Sequence, residues 1–503
     1  MATKILQKYN IKLNRVQIFV NIVDAGGYVK EYHLMVPKIS EATHALLDSV
    51  KEELLKEAKI GMDEIFDQER IKKLISEFEI KTKLLIDERL PNISENTKNF
   101  LTQSLVNEML GLNILEILLA DDNLEEIVIN TSKEPVWIYH MKYGWLKTNI
   151  FVPTEQQIHN YASIIARRVG RQITTLEPLL DAHLISGDRA NSTLLPISTK
   201  GNTLSIRKFA RKPWTIPDFI ENKTITSQVA AFLWLCMQYE LNMIVAGGTS
   251  SGKTALLNTL MPFIQSNHRI ISIEDTRELQ LPDFLHWVPL TTRLPNPEGK
   301  GEITMLDLMI NSLRMRPDRI VVGEIRRAAQ AEVLFEAMHT GHSVYATLHA
   351  NTADEVLRRM TNPPINIPDV MLEAMQLIVV MYRDRRKGIR RIYEVAELVP
   401  HEREREFFIK TNLLFRALPV GRIVPKNQTT RVFEVLNMHA GMTRKEMTSD
   451  INEKIRILEW MVKHNVNTVN EVGKIVSEYY SDPEFVLHSV SKNKKPQDVI
   501  RKL

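Results

Sequence analysis

An apolar run at residues 241–246 passes directly into Gly247-Gly248-Thr249-Ser250-Ser251-Gly252-Lys253-Thr254, and a helical pattern follows through Leu260. No other feature constrains the fold as tightly. A glycine-rich loop between a strand and a helix lets successive backbone amides turn inward, and the helix beyond it adds the positive end of its dipole. The segment is therefore a phosphate cradle. Lys253 is placed to neutralise β- and γ-phosphates and Thr254 to offer a hydroxyl to magnesium, with Ala255 next in the same turn. The implied ligands are ATP and Mg2+.

A strand that feeds such a loop belongs to a sheet, and the downstream sequence supplies one. Short apolar runs at 270–273, 319–322, 343–348, 377–382 and 392–398 alternate with helical pattern. Nearly continuous apolar strands separated by helices indicate a parallel sheet covered on both faces, hence an α/β domain over residues 219–400. At 503 residues the chain exceeds a single hydrophobic core. Residues 1–110 read as a helical and mixed domain with a strand at 16–22 and helices at 40–58 and 69–86. Residues 111–209 read as an α+β domain with strands at 126–130, 136–139 and 203–209 and a helix at 154–169. Pro213 and Pro217 mark residues 210–218 as a linker. From 401 to 503 the pattern is mixed and then helical, with Thr443 and Glu446 in capping-box spacing.

Hydrolysis needs an acid to orient water and ligands to help hold the metal. Two predicted strands end in carboxylates: one at Glu274-Asp275, with Glu278 close behind, the other at Gly323-Glu324. In open parallel sheets ligands gather beyond the carboxyl ends of the strands, so both groups are expected to face the P-loop. Glu324 is assigned to polarising water, Glu274 to catalysis, and Thr254, Glu274 and Asp275 to Mg2+. A strand-end acid can equally be a solvated loop residue.

Composition excludes several classes. Lys and Arg exceed Asp and Glu by only 4, which does not call for a nucleic-acid ligand. The single cysteine, Cys236, excludes an intrachain disulfide and a cysteine-clustered zinc site, and implies a reducing compartment. Apolar runs fall short of the roughly 20 residues that span a bilayer, and lysines interrupt the N-terminus before a signal core can form. The basic stretch at 383–391 reads as a solvated hairpin tip or as an edge for anionic lipid or a partner.

Four elements in order carry a family resemblance: the P-loop, the acidic box at 273–278, the stretch Arg314-Met-Arg-Pro-Asp-Arg-Ile-Val-Val-Gly-Glu-Ile-Arg326, and Thr340-Gly341-His342 with Thr347-Leu348-His349. Together they resemble the type II/type IV secretion ATPase superfamily, and the absence of a four-cysteine insert resembles its archaeal archaellum, pilus or secretion members. The resemblance implies a RecA-like ATPase domain, a PAS-like α+β domain before it, and a homo-hexamer. It also implies peripheral attachment at the cytoplasmic face of the membrane, a polytopic membrane platform protein as partner, and no required nucleic acid. His342 and His349 would lie near the γ-phosphate, while Arg189 and Arg207 would swing over the nucleotide. A RecA-like nucleic-acid or conjugative motor and a nucleotide-sensing scaffold stay open as alternatives.

Overall fold

A computed structural model describes residues 4–14, 16–37, 40–57, 68–184, 187–209, 212–296, 299–384, 386–403, 406–419 and 421–500. The chain divides into two compact units, Met1–Arg211 and Lys212–Leu503.

The first unit holds strands β1 (Lys4–Leu13), β2 (Val16–Asp24), β3 (Glu31–Met35), β4 (Leu124–Ile129), β5 (Pro135–His140), β6 (Gly144–Phe151), β7 (Leu179–His183), β8 (Arg189–Thr193) and β9 (Thr203–Arg207). They form one sheet in the order β1-β2-β3-β6-β5-β4-β9-β8-β7. Its helices are α1 (Glu41–Glu57), α2 (Gln68–Arg89), α3 (Glu95–Leu110), α4 (Leu115–Ala120) and α5 (Glu155–Arg168). Strand β2 shows why one face is covered: Val16, Ile18, Val20 and Ile22 are buried while Gln17 and Phe19 are exposed, the two-residue period of a half-buried strand.

The expected division near residue 110 is not a division of this fold. Strand β3 pairs in parallel with β6, and residues from both sides of that point share one hydrophobic core. Joining β1–β3 to β6 satisfies backbone groups that a separate sheet would leave at an edge. Of the expected helix at 40–58, Ala58 lies outside the described residues, as do Ala210 and Arg211 of the expected linker, Ser186 beside Gly187, and Arg385 in the basic stretch. Residues 216–218 are helical instead of linker: Thr215 caps α6 (Ile216–Glu221), and Pro217 sits in the first turn, where no backbone donor is needed.

The second unit contains β10 (Met243–Gly247), β11 (Arg269–Glu274), β12 (His286–Thr291), β13 (Arg319–Val322), β14 (Ser343–Leu348), β15 (Leu377–Asp384), β16 (Ile389–Arg403), β17 (Glu406–Ala417) and β18 (Ile423–Pro425). The order is β12-β11-β13-β14-β10-β15-β16-β17-β18. The first six strands in this order are mutually parallel, and the last three add antiparallel. Every residue of β10, β13 and β14 is buried, because helices cover both faces. These helices are α7 (Ser227–Gln238), α8 (Lys253–Leu260), α9 (Met305–Ser312), α10 (Ala328–His339), α11 (Ala353–Thr361) and α12 (Asp369–Leu372). Met243 and Val245 point into one core, Ile244 and Ala246 into the other.

The expected domain end at 400 falls inside β16, so β17 and β18 extend the same sheet. Only after them comes a helical region: α13 (Arg431–Ala440), α14 (Arg444–Lys463), α15 (Val469–Ser481), α16 (Pro483–Ser491) and α17 (Pro496–Val499). Thr443 and Glu446 form the expected capping box, at the start of α14. Helices α14 and α15 pack on α7 around the buried Lys454, whose ammonium pairs with Asp450 beneath the rings of Trp234 and Tyr479.

Candidate active site

Parallel strands bring the ends of β10, β14, β13 and β11 to one edge of the sheet, and the P-loop leaves that edge between β10 and α8. Gly247 has φ +154°, and a Cβ there would lie 2.6 Å from the Met381 carbonyl oxygen of neighbouring β15. Gly252 has φ +95° and caps α8. Glycine is required at both positions. Ser250, at the apex, takes φ +57°, and its carbonyl accepts a hydrogen bond from Arg390 Nε at 3.1 Å. The basic stretch expected as a solvated hairpin tip or a docking edge has Arg390 in β16, just after the turn from β15, reaching the phosphate loop.

Lys253 is buried, and its ammonium donates to the carbonyls of Gly247 and Gly248 at 3.1 and 3.3 Å. It also lies 3.1 Å from His349 Nδ1. An ammonium is only a donor, so Nδ1 accepts and the imidazole proton sits on Nε2. That nitrogen faces Glu324 Oε1 at 2.8 Å. Burial and then the charge of Lys253 lower the His349 pKa, keeping the ring neutral, while Glu324 acts in the opposite direction. Arg359 donates to the His349 carbonyl and fixes the strand end. The other Glu324 oxygen accepts from Arg326 Nε at 2.8 Å and Nη2 at 2.6 Å. Arg326 in turn reaches Asp275 Oδ2 at 2.9 Å. An unbroken chain of polar contacts thus joins the P-loop lysine to the acidic box. A cleft of about 290 Å³ opens beside it, lined by Glu324, Arg326, His349 and Arg359 among others.

His342 is not part of this cluster. It precedes β14 and its ring bonds Thr340 and the Ala337 carbonyl, whereas His349 follows the same strand. Six residues of extended chain separate the two by roughly 20 Å, on opposite edges of the sheet, so the expected pairing of both histidines at one phosphate does not hold within this chain.

The acidic pair expected to hold Mg2+ is otherwise engaged. Asp275 is paired with Arg326. Glu274 is 2% exposed and its Oε1 accepts the amides of Glu278 and Leu279 at 2.8 and 3.0 Å. It acts as a clamp on the loop. Its Oε2 is buried with no hydrogen-bond partner among the described residues, and burial pushes the carboxyl up to about 7. The exposed Glu278 has its amide held by this clamp, and burial lowers the Lys253 pKa while the charges of Glu324 and then Glu278 raise it. In the sequence Glu278 stands close behind the Glu274-Asp275 pair with no role assigned to it.

A carboxyl whose pKa rises on folding stabilises the fold fully below its unfolded value and loses that contribution as pH climbs through the folded one. For Glu274 the window runs from the ordinary 4.5 to about 7. Glu274→Gln is therefore expected to gain stability over the parent as pH rises from 5 to 8, by up to about 3 kcal/mol. Denaturant melts at several pH values check this; a pH-independent difference contradicts it.

Arg189 and Arg207 lie in the first unit, paired across β8 and β9. Arg189 makes a two-pronged bond to Asp181 at 3.0 and 2.7 Å, and Arg207 sits opposite Glu126.

Residues 188–455 match the family described as type II/IV secretion system protein. The chain belongs to this family. A protein of Methanocaldococcus jannaschii is 28% identical, with 97% of this chain and 90% of that relative covered. The type IV secretion system protein PtlH of Bordetella pertussis is 29% identical over 56% of this chain and 91% of its own length. Among solved structures, the Legionella pneumophila ATPase DotB is similar at 18% identity and a TM-score of 0.41, covering 72% of this chain and 94% of DotB. No helix among the described residues is long and apolar enough to cross a membrane.

Proposed function

We propose that this chain hydrolyses ATP as a RecA-like motor in a homo-hexamer, peripherally attached at the cytoplasmic face of the cell membrane. It would drive a polytopic platform protein of a pilus, archaellum or secretion machine, with no required nucleic acid. The observation that carries the reading is the chain of contacts from Lys253 through His349, Glu324 and Arg326 to Asp275. The near-full-length relative comes from Methanocaldococcus jannaschii, which fits the archaeal members that the sequence resembles.

In this mechanism the P-loop amides and Lys253 bind the phosphates. Glu324 accepts a proton from water as the water oxygen bonds to the γ-phosphorus and the bond to ADP breaks. Mg2+, when bound, draws charge from the phosphate oxygens. Thr254 with Glu278 would hold it, since Glu274 and Asp275 are engaged elsewhere. His349 fixes Glu324 and senses the displacement of Lys253 toward phosphate. Nucleotide-sensing arginines in this reading are Arg189 and Arg207.

The purified full chain is expected to release phosphate from ATP only with Mg2+, at a rate that single-stranded DNA leaves unchanged. Stimulation by DNA that collapses with salt would favour a nucleic-acid motor. The absence of both ATP binding and phosphate release in every oligomeric state would remove the proposal.

A further inference from the structure

The C-terminal helices reach the acidic loop directly. Gly473 of α15 faces Pro282 and Phe284, and a Cβ there would lie 2.6 Å from Pro282 Cγ and 3.2 Å from Phe284 Cζ. The α15 backbone therefore packs directly against side chains of the loop. Three residues earlier, Asn470 accepts the Asp283 amide at 2.9 Å and donates to the Asp283 carboxylate at 2.6 Å. At the other end of α15, the Tyr480 hydroxyl donates to the Phe263 carbonyl at 2.7 Å and accepts from Trp234 Nε1 at 2.8 Å. Phe263 closes the turn that follows α8, the P-loop helix. The circuit is completed by Asn258 of α8, which accepts the Gln280 amide at 2.8 Å.

Following the loop in order, residues 278 and 279 are held by Glu274, residue 280 by the P-loop helix, residue 283 by Asn470, and residues 282 and 284 by Gly473. Two of these anchors belong to α15. We propose that α15 is a positioning element for ATP hydrolysis, with Asn470 and Gly473 bracing the 275–285 loop so that Glu278 is presented to Lys253 and the metal. The helices beyond the sheet thus act on turnover without touching nucleotide. This rests on the ATPase reading given above.

The brace can be broken and remade with charge. Asn470→Asp sets two carboxylates against each other, and adding Asp283→Asn restores a donor facing an acceptor with the partners exchanged. In the full chain the single variant is expected to lower turnover about ten-fold, as a misplaced ligand does, and to raise the Mg2+ concentration for half-maximal rate. ATP affinity measured at equilibrium stays within about two-fold, because the P-loop contacts are untouched. Amide hydrogen exchange over 275–285 rises. The double variant returns turnover, Mg2+ dependence and exchange toward the parent. Raised exchange with unchanged turnover and Mg2+ dependence overturns the positioning role, as does unchanged exchange or failure of the double variant to restore. If the parent chain hydrolyses no ATP, it is the ATPase reading that falls, and the exchange measurements still decide whether Asn470 braces the loop.

Discussion

Glu324→Gln is expected to lower ATP turnover about 10²–10³-fold while leaving ATP affinity within about two-fold. Both Glu324 oxygens accept: Oε1 from His349 Nε2, Oε2 from Arg326. An amide carries one acceptor and one donor, so it can satisfy only one of these neighbours. Its NH2 cannot face His349 without moving the imidazole proton to Nδ1, where it would confront the Lys253 ammonium. The carbonyl will therefore keep His349, and the NH2 will face Arg326 and repel it. Arg326 retains Asp275, so the fold of the site survives while its base is gone. Phosphate release and equilibrium ATP binding, measured side by side, check this. Undiminished turnover would remove Glu324 from the chemistry.

What was legible in the sequence was what neighbours in the chain decide. The strand, P-loop and helix at 241–260 occupy one contiguous stretch, and acids at strand ends face the loop because parallel strands share a direction. Partners drawn from distant segments were not legible. Arg326 and Asp275 are 51 residues apart, and Arg390 is 140 residues from Ser250, so no spacing rule links either pair. His342 is a different case. The strand expected at 343–348 already places histidines 342 and 349 at its opposite ends, which conflicts with the shared γ-phosphate position that the resemblance implies. In the first unit, β1 is hard to read from sequence because Gln7 interrupts its inward face of Tyr9, Ile11 and Leu13, while Lys8 and Lys12 occupy the outward one at the sheet edge. A carboxyl beside a P-loop suggests a metal ligand, whereas Glu274 is buried and holds the amides of its own loop.

Gly247→Ala is expected to abolish measurable ATP binding, a loss of more than about 100-fold, and to destabilise the second unit by about 2–4 kcal/mol. The added methyl would meet Ser251 Oγ at 2.4 Å and the Met381 carbonyl oxygen at 2.6 Å, in a backbone conformation at φ +154° that alanine avoids. The hydroxyl can rotate away. The carbonyl cannot, because Met381 is opposite Gly247 in the β10–β15 ladder. Relief must come from the loop itself, which shifts the amides that bind phosphate and pulls the Gly247 carbonyl from Lys253. Gly248→Ala is the matched comparison, since its nearest neighbour is the Asn351 side chain at 3.4 Å. That variant should keep ATP affinity within about ten-fold. Calorimetric titration with ATP and thermal melts on the two variants give the ranking, and equal losses at 247 and 248 would mean that general crowding of the loop, not the fixed Met381 carbonyl, sets its tolerance.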